Sequence, residues 1–114
     1  MRVNVTVRDL NAEGALIDAV ERRIRFALGR FSNRVRQVDV TLTDVNGPRG
    51  GADQQCRLRA TLPTSPPIVV ETHSTDALAA VGDAAERAAR RISESLNRAR
   101  DLRRGSGTLR ARTA

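Results

Sequence analysis

The sequence predicts an α+β fold with the element order βαβββα, in which a four-stranded mixed sheet carries two helices packed on one face. Three observations lead to this prediction. Four short segments alternate apolar and polar residues, as half-buried strands do. Two longer segments space their apolar residues by threes and fours, as amphipathic helices do. The chain has 114 residues, which is enough for one hydrophobic core but not for two.

The first strand spans residues 2 to 8, in which three valines alternate with polar residues. An amphipathic helix lies between Leu10 and Phe31, with Asp9 or Asn11 as its N-cap. Its apolar positions follow helical spacing. They are Leu16, Val20, Ile24, Ala27, Leu28 and Phe31.

Three further strands follow the first helix. The second covers residues 38 to 43, and the turn-forming residues 46 to 53 connect it to a third strand at residues 55 to 62. The fourth covers residues 68 to 73. The helical crossover makes the first two strands parallel if they are neighbours, whereas the short connections make the others antiparallel. Each strand has one apolar face, so both helices cover the same side of the sheet and leave the other side open.

A long second helix follows the last strand. Ser74 or Thr75 is its predicted N-cap, and Asp76 suits its first turn. The sequence Gly-Ser-Gly-Thr then predicts a break, which divides the chain into a domain at residues 1–104 and a flexible basic tail at residues 105–114. The predicted core-facing residues of this helix are Leu78, Val81, Ala85, Ala88, Ala89, Ile92, Leu96 and Ala99.

The composition favours a polyanionic partner. The formal net charge is +7, and every one of the 20 basic residues is arginine. A chain this basic associates readily with nucleic acid. No apolar run is long enough to span a membrane, and the first residues lack the apolar stretch of a signal peptide. We therefore expect a cytoplasmic protein without a membrane partner.

Groups suited to catalysis are few. The single histidine, His73, and the single cysteine, Cys56, alternate onto opposite faces of their strands, so they cannot form a catalytic pair. The glycine-rich residues 47–51 lack the Lys-Ser/Thr of a phosphate loop and connect two strands. The sequence therefore predicts a protein that is not an enzyme and has no cofactor, no metal and no small-molecule substrate.

The positions of the arginines point to RNA. On the second helix Arg87, Arg91 and Arg98 fall within about 40° of each other, and Arg90 lies about 60° to one side. The guanidinium group binds phosphate oxygens through two parallel hydrogen bonds. The open sheet face has no aromatic residue to stack on bases, so we expect recognition of RNA backbone and shape. The predicted RNA-binding residues are Arg23, Arg25, Arg57, Arg59, Arg87, Arg90, Arg91 and Arg98.

Two segments resemble a known family. Residues 15–24 read Ala-Leu-Ile-Asp-Ala-Val-Glu-Arg-Arg-Ile, and residues 71–81 read Glu-Thr-His-Ser-Thr-Asp-Ala-Leu-Ala-Ala-Val. These segments, with the element order, resemble the short ribosome hibernation promoting factors, which include ribosome-associated inhibitor A and the ribosomal subunit interface proteins. The resemblance covers roughly residues 1 to 100. Arg23, Arg87 and Arg90 match basic positions of the family, whereas Leu78, Gly82 and Glu94 depart from its pattern.

The resemblance implies a translation inhibitor that binds the small ribosomal subunit. Members of the family contact its rRNA in the channel for mRNA and tRNA and keep idle ribosomes inactive. We also expect this short chain to be a monomer off the ribosome. Two other functions remain open. One is a general double-stranded RNA-binding module, and the other is an adaptor that binds a protein through the open sheet face.

Overall fold

The computed structural model has the predicted element order. It describes residues 1–8, 14–44, 53–63 and 65–113, with side chains as far as residue 100. In chain order the elements are β1 (Arg2–Arg8), α1 (Gly14–Leu28) followed by a 3₁₀ turn (Gly29–Phe31), β2 (Gln37–Asp44), β3 (Gln54–Thr61), β4 (Ile68–Ser74) and α2 (Ala77–Thr113). The N-cap candidates Asp9 and Asn11, and residues 46–52 of the turn segment, lie outside the described residues.

The four strands form one mixed sheet in the order β1-β2-β3-β4. β1 is parallel to β2, and the other two pairs are antiparallel. One apolar row crosses the whole sheet, because Val5 is opposite Val40, Val40 is opposite Leu58, and Leu58 is opposite Val70. The predicted fold class, α+β with a four-stranded mixed sheet, is therefore confirmed.

Both helices cover the apolar face of the sheet, as predicted. α1 contributes Val20, Ile24 and Leu28, each fully buried. α2 contributes mostly alanines, whose small side chains allow its backbone to approach the strands closely. Its buried residues include two that the sequence analysis did not assign to the core, Ala80 and Ala84, besides Val81, Ala85, Ala88, Ala89 and Ile92.

The N-cap of α2 differs from the prediction. The cap is Asp76, whose carboxylate accepts a hydrogen bond from the backbone N–H of Ala79 at 3.0 Å. Neither Ser74 nor Thr75 caps the helix, because β4 continues through Ser74 and the helix begins only at Ala77. The Ser74 hydroxyl instead accepts a hydrogen bond from the Asp76 N–H at 3.3 Å and so supports the turn into the helix.

Removal of this cap is expected to destabilise the protein. The Asp76→Ala variant loses the side-chain acceptor for an otherwise unpaired N–H, which costs about 1 kcal/mol in the free energy of unfolding. Urea denaturation measures this loss. The neighbouring Thr75→Ala substitution is the matched control and should change the free energy by less than about 0.5 kcal/mol. A larger effect of Thr75→Ala would mean that Thr75 is the cap after all.

The C-terminal end of α2 also differs from the prediction. Instead of breaking after Arg104, the helix continues to Thr113. Extension of a formed helix adds one hydrogen bond per residue. A glycine in the interior costs only about 1 kcal/mol relative to alanine, so Gly105 and Gly107 do not by themselves end a helix. The separation of residues 105–114 from the domain stays a prediction.

Candidate nucleic-acid interface

The exposed side of α2 carries four of the predicted arginines. The helix buries its alanine-rich side against the sheet, which directs Arg87, Arg90, Arg91 and Arg98 toward solvent, and all four are exposed. Arg87, Arg91 and Arg98 share one side of the helix, since 100° per residue places them within about 40° of each other. The packing of α2 thus creates a row of exposed guanidinium groups, called here the α2 arginine row (Arg87, Arg91 and Arg98).

Most of these guanidinium groups have no partner within the described part of the chain. Arg87, Arg90 and Arg98 make no hydrogen bond or ion pair with any described residue. Arg91 donates one hydrogen bond to the backbone carbonyl of Val69, at 2.6 Å. A guanidinium group has five N–H donors, so even Arg91 retains donors for a phosphate.

The contact of Arg91 brings one end of the α2 arginine row to the edge of the sheet. Val69 belongs to β4, which is the last strand of the sheet order. Its partner on β3 is Arg59, which is exposed on the open face. Arg91 therefore reaches the edge of β4, and Arg59 lies one strand farther in, on the open face.

The rest of the open sheet face is less suited to an anion, because acidic side chains lie among its arginines. Arg57 lies 3.7 Å from a carboxylate oxygen of Glu71. Asp39 accepts hydrogen bonds from Asn4 at 3.0 Å and from Gln37 at 2.9 Å. The face forms a shallow concavity of about 500 Å³ with residues of both charges. Its lining residues are Arg8, Asp39, Thr41, Thr43, Gln55, Arg57, Arg59 and Glu71.

The two predicted arginines of α1 point in different directions. Arg25 donates a hydrogen bond to the Glu21 carboxylate at 3.1 Å and one to the Met1 carbonyl at 3.5 Å, so it lies beside the start of β1. Arg23 lies on the side of α1 that faces α2. A Cβ atom added to Gly82 would lie 3.5 Å from its guanidinium nitrogen, which is ordinary van der Waals contact.

The eight predicted residues therefore do not form one surface. Arg87, Arg90, Arg91 and Arg98 lie together on the exposed side of α2, whereas Arg59 lines the concavity of the open sheet face. The exposed Arg23 extends its guanidinium toward Gly82 of α2, while Arg25 and Arg57 are each paired with a carboxylate elsewhere.

One basic cleft lies outside the predicted set. It has a volume of about 250 Å³ and lies between the 3₁₀ turn and α2. The Arg30 guanidinium is fixed there over the Phe31 ring, 4.7 Å from its centroid, and Arg100 donates a hydrogen bond to Asn97 at 2.9 Å. Arg34 also lines the cleft. The helical spacing of Ser93, Asn97 and Arg100 indicates that they share one side of α2. That Arg34 lines the same cleft is shown only by the packing of the 3₁₀ turn against this helix.

The groups suited to catalysis are separated as predicted. Cys56 is fully buried, and burial raises the pKa of its thiol to about 12, although a hydrogen bond with Thr72 partly offsets this rise. His73 is exposed on the opposite side of the sheet. Among the described residues, no three His, Cys, Asp or Glu side chains form a group that could hold a metal ion. No helix in this part of the chain is long and apolar enough to cross a membrane.

Comparisons with known proteins agree with this fold. Residues 3–100 match the family described as Sigma 54 modulation protein / S30EA ribosomal protein. The Protein Y N-terminal domain from Thermus thermophilus is 20% identical, with a TM-score of 0.66 over 82% of this chain and 98% of that chain. A ribosomal subunit interface protein from Coxiella burnetii is 14% identical, with a TM-score of 0.67 over 85% of this chain and 99% of that chain. No individually curated protein sequence matches the chain. At these identities the two solved structures establish a shared fold.

Proposed function

The chain belongs to the Sigma 54 modulation protein / S30EA ribosomal protein family, which matches residues 3–100, and we propose that it inactivates idle ribosomes by binding the small subunit. Family membership confirms the resemblance to ribosome hibernation factors. The protein is accordingly a ribosome-associated factor and not an enzyme. The proposal adds the subunit, the RNA contacts and the consequence for translation.

The observation that carries the proposal is the exposed α2 arginine row. Arg87 and Arg98 have no partner among the described residues, so their donors are available without breaking an existing contact. A hydrogen bond between a guanidinium and a phosphate is charge-assisted and stronger than a neutral one. We assign these residues, with Arg90, Arg91 and Arg59, to phosphates of the small-subunit rRNA.

The proposed position on the ribosome rests on the resemblance to hibernation factors. We place the protein in the channel where mRNA and tRNA bind at the A and P sites. A folded domain of about 100 residues excludes these RNAs sterically, whichever base sequence lines the channel. Contacts to phosphates suffice for such a role, because they fix the position of the protein without reading sequence.

Sedimentation with purified ribosomal subunits tests the proposal. The protein is expected to pellet with 30S subunits, to be released by added mRNA and initiator tRNA, and to inhibit cell-free translation. Each phosphate contact contributes a slope of about −0.7 to −0.9 to the dependence of log K on log salt, so release by salt should be steep. A protein that stays in the supernatant at low salt would contradict the proposal.

Competition separates the two alternative functions. A general double-stranded RNA-binding module would be displaced from ribosomes by an equal mass of free duplex RNA, whereas a ribosome-specific factor would not. An adaptor that binds protein through the open sheet face would keep its partner after nuclease treatment and at high salt. Among the described residues the open sheet face exposes no large apolar side chain, which favours the surface on α2 over this alternative.

Removal of the negative charge of Glu94 tests the α2 arginine row through an expected gain in ribosome affinity. It is exposed on the same side of α2 as the α2 arginine row and repels phosphate. The Glu94→Gln variant is expected to bind ribosomes about 3-fold more tightly at low salt, since a like charge about 7 Å away costs about 0.6 kcal/mol in water. The gain should disappear at high salt. The control is Asp18→Asn, on α1. An equal gain in ribosome affinity from this variant would mean that the effect comes from net charge and not from the position of Glu94.

A further inference from the structure

Phe26 is the exception to the burial pattern of the helices. Its side chain is 90% exposed, and it is the one large apolar side chain so exposed in the described part of the chain. The other apolar side chains of α1 face the core, with Val20, Ile24 and Leu28 fully buried. The chain has only two aromatic residues, and the other one, Phe31, is buried. Phe26 therefore contributes nothing to the core.

Three arginines neighbour Phe26 along α1 and the 3₁₀ turn. Helical spacing places Arg22 and Arg23 four and three residues before Phe26 and within about 60° of it around the helix, and Arg30 follows in the 3₁₀ turn. All three are exposed. The acidic residues of α1 lie farther around the helix, Asp18 at about 80° and Glu21 at about 140°.

Two of these arginines have no acidic partner within the described residues. Glu21 is already paired with Arg25, at 3.1 Å. Arg22 and Arg23 make no hydrogen bond or ion pair with a described residue. Arg30 is held over the Phe31 ring and lines a concavity together with Glu86 and Glu94 of α2. The surface around Phe26 thus combines an exposed ring with cationic side chains.

Space for a flat partner exists beside the ring. Gly29 lies one turn after Phe26 and is exposed. A Cβ atom placed on Gly29 would meet nothing within 4 Å. The absence of a side chain there leaves the C-terminal side of the ring unobstructed.

We propose that Arg22, Arg23, Phe26 and Arg30, called here the Phe26 patch, bind an unpaired RNA nucleotide. The base stacks on the Phe26 ring, and the arginines contact the phosphates on either side. This inference rests on the proposed function and adds the form of RNA that one surface recognises. It also modifies the expectation of recognition by backbone and shape alone.

An unpaired nucleotide suits this patch better than a protein pocket. Aromatic stacking combined with flanking cations is the usual way in which proteins hold single-stranded RNA. A protein pocket around Phe26 would have to desolvate three arginines, which is costly without carboxylate partners. The bases of a duplex are stacked on one another, so their faces are not accessible to a ring on a convex helix.

Ribosome affinity with substitutions of Phe26 tests the patch. Phe26→Leu keeps an apolar side chain but removes the aromatic face, and it is expected to weaken 30S binding about 10-fold. Phe26→Trp is expected to bind at least as tightly as the parent. Neither change should affect the unfolding midpoint, because the side chain is 90% exposed. Parent-like binding by Phe26→Leu would overturn the inference. Full binding by Phe26→Leu with lost binding by Phe26→Ala would indicate an apolar protein contact.

A second assay tests the patch independently of the ribosome. The probe is a single-stranded RNA of about ten nucleotides containing 2-aminopurine, whose fluorescence falls on stacking. The parent protein should quench this RNA but not the same RNA in a duplex, and Phe26→Leu should not quench either. Equal quenching by the parent and by Phe26→Leu would overturn the inference. Failure of the parent to pellet with 30S subunits, by contrast, would contradict only the proposed function.

Discussion

Replacement of Arg87 and Arg98 together by glutamate is expected to weaken binding to 30S subunits by about 100-fold or more. Each substitution removes a charge-assisted hydrogen bond worth about 1.5 to 3 kcal/mol and introduces repulsion in its place. Both side chains are exposed and have no partner among the described residues. The variant should therefore unfold at the same denaturant concentration as the parent. Sedimentation over a range of protein concentrations measures the change in affinity.

The matched control is the double variant Arg2→Glu and Arg36→Glu. It changes the net charge of the protein by the same amount, but near β1, at the other edge of the sheet from β4. Both residues are exposed. The control is expected to lose less than about 10-fold in affinity for 30S subunits, because long-range attraction alone is screened within about 10 Å at 0.1 M salt. Equal losses in the two variants would favour non-specific attraction by net charge and contradict the proposed surface.

The fold could be predicted because each element has a strong period. Alternation in β3 placed Cys56, Leu58 and Ala60 in the core, and all three are fully buried. In α1, the spacing of apolar residues by threes and fours likewise predicted the buried residues Val20, Ile24 and Leu28. The boundary between β4 and α2 was predicted less well. Ser74 and Asp76 are both good N-cap residues, and only the length of β4 decides between them.

The candidate site could be predicted only in part. The periodicity of α2 was sufficient to place Arg87, Arg91 and Arg98 on one side of the helix. The pairing of Arg57 with Glu71 depends on the register between β3 and β4, where the two residues are directly opposite. Local periodicity shows which face a strand residue occupies, but it does not fix which residue stands opposite.

The approach of α2 to the sheet edge could not be predicted either. The hydrogen bond from Arg91 to Val69 requires the position of the helix over β4, which follows from tertiary packing. The role of Phe26 could not be predicted for a similar reason. The helical spacing of the core residues excludes Phe26 from the apolar face of α1, but it does not indicate what the exposed ring does. Its proposed role depends on the exposure of the ring and on the open space at Gly29.

Alkaline pH is expected to destabilise the protein through a single buried thiol. The pKa of the Cys56 thiol is raised from 9.0 to about 12 in the folded chain, chiefly by burial. Between these values the unfolded chain releases the proton while the folded chain retains it, so the free energy of unfolding falls as the pH rises. The expected slope is about 1.4 kcal/mol per pH unit above pH 9, and below pH 9 the thiol contributes no slope.

The composition makes this effect unusually easy to isolate. The chain contains no lysine and no tyrosine, and arginine keeps its proton throughout this range. By pH 11 the free energy of unfolding should have fallen by about 3 kcal/mol, which is a large part of the 5 to 15 kcal/mol typical of a folded protein. Guanidinium denaturation at pH 8, 9, 10 and 11 measures it. Cys56→Ala is expected to be less stable at pH 8, because it leaves a small cavity, but almost independent of pH. The same slope in this variant would exclude the thiol as the cause, because Cys56 is the only cysteine in the chain.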